Sequence, residues 1–228
     1  MGTPDRDNEK IAVARKALEF IQDGMVVGLG SGSTSTHFIK LLGAAVKRGL
    51  KIRGIASSTK SAELAKSLSI PIIDFHVTTE IDVAVDGADE VSHGLALIKG
   101  GGGALLREKI VASAAKHFIV IADSSKLVEH LGKFPLPVEV IPMAAPLVEK
   151  KLRALNVHTT VRKLPNGTEY KTDEGNLILD CSCGEILYPD QLGASIRSII
   201  GVVEHGLFLN MAERALVARG AEVSIITR

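Results

Sequence analysis

The feature that most restricts the fold is an alternation: through the first half of the chain, short apolar β-branched runs take turns with amphipathic segments of helical length. Such a pattern builds parallel strands joined by crossover helices, because parallel neighbours need a long connection and a helix makes it compactly. Glu9 to Gln22 reads as the first helix, with Ile11, Leu18 and Ile21 on its core face and Asp23-Gly24 ending it. Strands are expected at Met25 to Val27, Lys51 to Ala56, Pro71 to Ile73, Ile81 to Val85, Ala96 to Ile98 and Phe118 to Ala122. The fold class is α/β, with a doubly wound sheet.

From Lys133 the order changes. A strand at Val138 to Ile141, a helix at Ala144 to Leu155, a strand at His158 to Arg162, a turn at Pro165-Asn166-Gly167, a strand at Asn176 to Cys181, a helix at Pro189 to Ile199 and a strand at Gly201 to Glu204 spell β-α-β-β-α-β. That is a smaller, ferredoxin-like α+β unit. The tail offers a short helix near Met211 to Ala218 and a strand at Glu222 to Thr227 that should rejoin the larger unit. The expected division is a Rossmann-like domain at 1–132 plus 207–228 and an inserted domain at 133–206. No repeat or Ser/Pro-rich tether separates them, so they should pack tightly.

Lys and Arg number 27 against 26 Asp and Glu, a formal charge of +1, so nothing global favours nucleic acid or an anionic membrane, and any anion site must be local. The apolar stretches are strand-sized, shorter than the roughly 20 residues that span a bilayer. Met1 to Lys10 lacks the apolar core of a signal peptide and the Arg/Ser-rich pattern of a transit peptide, which leads us to expect a cytoplasmic protein. Cys181 and Cys183 are too few for zinc and poorly spaced for a disulfide; both read as structural.

In an open parallel sheet ligands bind outside the carboxyl ends of the strands, so the strand-to-loop junctions carry the chemistry. Gly28-Leu29-Gly30-Ser31-Gly32-Ser33-Thr34 follows a strand and opens a helix, so its backbone N–H groups and hydroxyls suit a phosphate. It also suits a plain tight turn. Ser33 stands where the dinucleotide fingerprint needs glycine, and no Walker lysine follows. Val85-Asp86-Gly87-Ala88-Asp89-Glu90 crowds three acids past an apolar strand, an arrangement fit for proton transfer, for an Asx-turn and cap, or for a divalent ion on Asp86 and Asp89.

The strongest junction is Ile98-Lys99-Gly100-Gly101-Gly102-Gly103-Ala104, leading into a helix that carries Glu108. Four consecutive glycines cost backbone entropy and are rarely kept unless backbone must approach a ligand. Lys99 can hold a developing oxyanion and Glu108 can act as a base from a rigid element, although an acid also suits a helix N-terminus for electrostatic reasons alone. Ala122-Asp123-Ser124-Ser125-Lys126 ends a further strand, where Lys126 can meet a phosphate or simply stay solvated. The seven histidines show no metal-ligand spacing and the serines no nucleophile elbow.

Taken in order with Arg107-Glu108-Lys109, Gly132-Lys133-Phe134-Pro135-Leu136-Pro137-Val138-Glu139-Val140 and Gly201-Val202-Val203-Glu204-His205-Gly206-Leu207-Phe208, these motifs resemble the type A ribose-5-phosphate isomerase family over nearly the whole chain. The resemblance implies reversible conversion of D-ribose 5-phosphate to D-ribulose 5-phosphate through an enediolate, in the pentose phosphate pathway, without a metal or organic cofactor. It places the proton acceptor on Glu108. It places substrate contacts on Ser31, Gly32, Ser33 and Thr34, on Asp86, Gly87, Ala88 and Asp89, and on Lys99, Gly100, Gly101, Gly102 and Lys126. Asp86, Lys99 and Asp89 join Glu108 as expected catalytic groups. Ser31 departs from the threonine of many family members but keeps the hydroxyl. The partner so implied is a small sugar phosphate, and the family suggests a homodimer or tetramer.

Two other enzyme classes of the same broad superfamily, amino-sugar phosphate deaminases and CoA transferases, compete with this reading; Lys99 and Glu108 in their glycine-rich setting favour the isomerase. A sugar-phosphate sensor would need a DNA-binding module, for which only about ten residues precede the first helix. An oxidoreductase is weakened by the missing fingerprint.

Overall fold

The computed structural model describes residues 6–228. Its first part runs α1 (Arg6–Leu18), β1 (Val26–Leu29), α2 (Gly32–Lys47), β2 (Arg53–Ala56), α3 (Thr59–Ser67), β3 (Ile81–Gly87), β4 (Glu90–Ser92), β5 (Leu97–Ile98), α4 (Leu105–Ser113) and β6 (Ala115–Asp123). After β7 (Leu127–Val128) come β8 (Leu136–Val140), α5 (Ala145–Arg153), β9 (His158–Val161), β10 (Leu177–Ser182), α6 (Pro189–Arg197) and β11 (Val202–His205). The chain closes with β12 (Leu207–Phe208), β13 (Arg214–Arg219) and β14 (Glu222–Thr227).

Six strands form the main sheet in the order β14-β13-β6-β3-β1-β2, parallel except for β14, which pairs antiparallel with β13. This is the α/β Rossmann-like architecture, with helices on both faces. On one face Phe38, Ile39 and Leu42 of α2 pack on Val27, Leu29 and Val85. On the other, Val111 and Ala112 of α4 pack on Ala84 and Val120. Each fully buried side chain of the Leu, Ile or Phe class contributes about 1.5–3 kcal/mol. Helix α4 comes so close to β1 that a Cβ on Gly28 would sit 2.7 Å from Ala84 and from Val111.

The β-α-β-β-α-β segment folds as the pattern predicts, into an antiparallel sheet ordered β11-β8-β10-β9. A third, small sheet, β12-β5-β4-β7, lies between. Its Ile98 and Leu207 belong to the core of the antiparallel unit, while its Leu97 and Phe208 belong to the core under α4, so this sheet ties the two units together.

Three expected elements differ. Pro71 to Ile73 makes only a single bridge, Gly54 to Ile72, since Pro71 has no N–H to continue a ladder. Ala96 to Ile98 is a strand of the small sheet, paired antiparallel, and does not extend the parallel one. Met211 to Ala218 is not a helix: Ala215, Leu216, Val217 and Ala218 are all buried within β13, as a parallel strand covered on both faces must be. The terminal strand does rejoin the main sheet. Helix α1 starts and ends earlier than expected: it buries Val13, Ala14 and Ala17, Leu18 packs against the same core, Ile21 is buried just past its end, and Ile11 is not part of that core. Among the described residues no helix is long and apolar enough to cross a membrane. Cys181 and Cys183 are free thiols, and burial pushes Cys183 up to about 11.

Candidate active site

The order of the main sheet reverses between β1 and β3, because the chain leaves β1 toward β2 on one side and returns to β3 on the other. The connections part at the carboxyl ends of these strands and leave a crevice. Here the two strands converge: Gly30 N–H donates to Val85 O at 3.0 Å, and a Cβ on Gly30 would overlap the Asp86 carboxylate. Ser31 N–H then donates to Asp86 Oδ1 at 2.9 Å. Ser35, one turn into α2, and Gly87 N–H donate to the same oxygen at 3.0 and 2.7 Å.

Asp86 Oδ2 faces the Lys99 ammonium at 2.9 Å. Lys99 leaves β5 with its own N–H bonded to Gly206 O, and its Nζ also donates to Gly87 O at 2.6 Å and stands 3.3 Å from Glu108 Oε2. The other oxygen of Glu108 accepts a short hydrogen bond from the Ser31 hydroxyl. That hydroxyl leaves α2 without a side-chain cap, although Ser31 occupies the capping position.

One ammonium therefore sits among three carboxylates, those of Asp86, Glu108 and the half-buried Asp89. Burial raises Asp86 to about 6, opposed by Lys99 and reinforced by Glu108. Burial alone would lower Lys99, but Asp86 and Glu108 outweigh it and hold the ammonium above its ordinary value. Burial also raises Asp89. Glu108 is fixed from behind through its neighbour: Lys109 Nζ donates to His205 O at 2.6 Å and Leu207 O at 2.8 Å and pairs with Glu204 at 2.9 Å, anchoring α4 to β11 and β12.

The crevice encloses about 210 Å³. Its walls bring together the loop from Ser31 to Thr34, the segment Gly87 to Asp89, the run Lys99 to Gly102, Glu108 and Lys126. Asp86 lies one layer beneath this wall, with both oxygens committed to Lys99, Ser31, Ser35 and Gly87. The position a divalent ion would take beside Asp86 is filled by Lys99. Among the described residues no group of three or more His, Cys, Asp or Glu side chains is arranged to hold a metal ion.

Besides Lys99, three more cations line the crevice, together with Asp123 and Ser125. Lys126, in the turn after β6, is joined there by Arg6 and Lys10 of α1. The start of α2, whose first N–H groups have no side-chain cap, lines the same crevice, an electropositive setting for an anion. Arg6 and Lys10 were not foreseen, because cations at helical spacing look the same as a solvated face. Ser35 likewise reads as an ordinary helical serine until β3 is placed beside it.

Three comparisons with known proteins agree. The profile of the family described as ribose 5-phosphate isomerase A (phosphoriboisomerase A) matches residues 53–222. The chain is 48% identical over 217 residues to ribose-5-phosphate isomerase A of Sphingopyxis alaskensis, covering 95% of each chain. It superposes on a D-ribose-5-phosphate isomerase in complex with phospho-erythronic acid with a TM-score of 0.95, at 41% identity and covering 98% of this chain and 100% of that one. Against ribose 5-phosphate isomerase A of Methanocaldococcus jannaschii the TM-score is 0.93, with 38% identity, 97% of this chain and 99% of that one covered.

Proposed function

The chain belongs to the ribose 5-phosphate isomerase A family and is an isomerase that interconverts D-ribose 5-phosphate and D-ribulose 5-phosphate, and from that premise we propose that Glu108 and Lys99 carry the reaction through an enediolate. An aldose and its ketose differ by a proton moved between C2 and C1, with a matching exchange between O2 and O1. Glu108 takes the proton from C2 and returns it to C1. Lys99 and the N–H groups of the glycine run hold the negative oxygen that develops in between.

The observation that carries this reading is the placement of the Glu108 carboxylate on the cleft wall between the Lys99 ammonium and the Ser31 hydroxyl. A base and a cation stand side by side, both fixed before any sugar arrives. Asp86, beneath them, keeps Lys99 charged and aimed. Asp89, which does line the cleft, is placed to assist ring opening and the exchange between the sugar oxygens. The phosphate sits at the start of α2 against Ser33, Thr34, Lys126 and Lys10, and supplies positioning energy remote from the reacting carbons.

The same reading includes a division into residues 1–132 plus 207–228 and residues 133–206, supported by the separate antiparallel core, and a homo-oligomer, dimer or tetramer, as its family resemblance implies. The test is ketose appearance from D-ribose 5-phosphate with purified protein in excess chelator, beside Glu108→Gln. Rapid chelator-insensitive turnover that the variant loses supports the reading. Binding of the sugar phosphate with no turnover in the parent would sink it in favour of a sensor.

A further inference from the structure

The glycine run does not set its own shape. Gly100 and Gly103 take φ of +100° and +87°, and glycine passes between such regions at little steric cost, so the peptides between them need an outside constraint. Arg162, just past β9, provides one. Its Nη1 donates to Gly100 O at 2.9 Å and to Gly101 O at 3.1 Å. Its Nε and Nη2 grip the two oxygens of Asp180 on β10, at 2.9 and 2.5 Å, so the guanidinium itself cannot swing. Tyr170 stacks on it, 5.9 Å from ring centre to guanidinium carbon, and brings its hydroxyl to 3.4 Å from Gly102 O.

In a trans peptide the C=O and the following N–H point in opposite directions. Holding the carbonyls of Gly100 and Gly101 on Arg162 therefore turns the N–H groups of Gly101 and Gly102 away from it. The first meets Asp89 Oδ2 at 2.7 Å. The second has no hydrogen-bond partner among the described residues, and Gly102 lines the cleft.

We propose that Arg162 is a positioning residue for the isomerisation: it fixes the peptide orientation from Gly100 to Gly102, so that the Gly102 N–H is presented to the reacting oxygens of the sugar and Asp89 is held in register. This rests on the isomerase reading of the cleft. Arg162 does not line the cleft; it acts through the glycine run, from a sheet that contributes nothing to the cleft wall.

Arg162→Lys keeps a positive charge opposite Asp180 but cannot make the two-point grip and the paired carbonyl contacts together. The parent, Arg162→Lys and Arg162→Gln are compared for kcat and KM with D-ribose 5-phosphate, with folding checked by circular dichroism. Binding of phosphoerythronic acid, whose planar anionic carboxylate resembles an enediolate, is measured beside binding of inorganic phosphate, which reads only the anion end. The expected result is a folded Arg162→Lys with kcat down about 100-fold, phosphoerythronic acid weakened and inorganic phosphate unchanged. A folded Arg162→Lys with parental kcat, or one that loses both ligands alike, overturns the proposal; so does failure of both variants to fold, which would make the role purely structural. An inactive parent overturns the isomerase reading as well, whereas an active parent beside an indifferent variant overturns this proposal alone.

Discussion

Lys99 Nζ stands 2.9 Å from Asp86 Oδ2 with their side chains only 2% and 6% exposed. A pair so deep is costly to break from one side, because the partner is left charged and dry. Lys99→Met abandons both Asp86 and Glu108 and should cost about 3–5 kcal/mol of stability, read as a lower urea midpoint. Adding Asp86→Asn to it should recover part of that loss. A Lys99→Met protein as stable as the parent would contradict the pairing.

On the proposed mechanism the same pair sets the acid limb of activity. Burial raises Asp86 to about 6, so its carboxylate, which keeps Lys99 aimed, is neutralised as pH falls through that value. The rate kcat/KM should drop on acidification with an apparent midpoint near 6, and Asp86→Asn should remove that limb along with most of the activity. Stability responds with the opposite sign. A group whose folded value is raised contributes stability that is fully present below its ordinary value and is lost as pH rises through the folded value. Melting temperatures of parent and Asp86→Asn across this window check the sign.

If the phosphate sits at the start of α2 as proposed, Lys126→Ala removes a charge-assisted contact worth about 1.5–3 kcal/mol, which is roughly a tenfold to hundredfold rise in KM. Lys10→Ala should act in the same direction, and raised salt should narrow the difference from the parent. Steady-state kinetics decide it. An unchanged KM in both variants would move the phosphate elsewhere.

Gly30→Ala tests the convergence of β1 and β3. The added methyl would overlap the Asp86 carboxylate and meet Asp86 Cα at 2.6 Å, so one strand end must shift and carry Ser31 or Lys99 with it. The expected outcome is a kcat lower by about 100-fold and a reduced melting temperature. Parental kcat would show that the junction has slack.

What could be read from the chain alone follows from how local each signal is. The strand-end loops at Ser31, Asp86 and Lys99 carry glycines and polar residues in consecutive positions, and a doubly wound sheet gathers such loops by topology. The tail resisted because Met211 to Ala218 mixes Glu213 and Arg214 with an apolar run, which fits a short helix as well as a doubly covered strand. Contacts across the fold have no local trace. Ser35 reaches Asp86 across 51 positions and Lys109 reaches Leu207 across 98, so neither role is visible until the sheets are assembled. The depth of Asp86 was equally hidden, since an acid at a strand end looks the same in the wall as beneath it.

On the proposed mechanism Glu108 moves the proton between C2 and C1. D-ribose 5-phosphate incubated with the parent and with Glu108→Gln in deuterium oxide, followed by nuclear magnetic resonance, reads that step directly. The parent should introduce solvent deuterium at C1 of the ketose and at C2 of recovered aldose, and the folded variant should do so at least about 100-fold more slowly. Deuterium entering at the parental rate in Glu108→Gln would contradict it and assign the proton to another group.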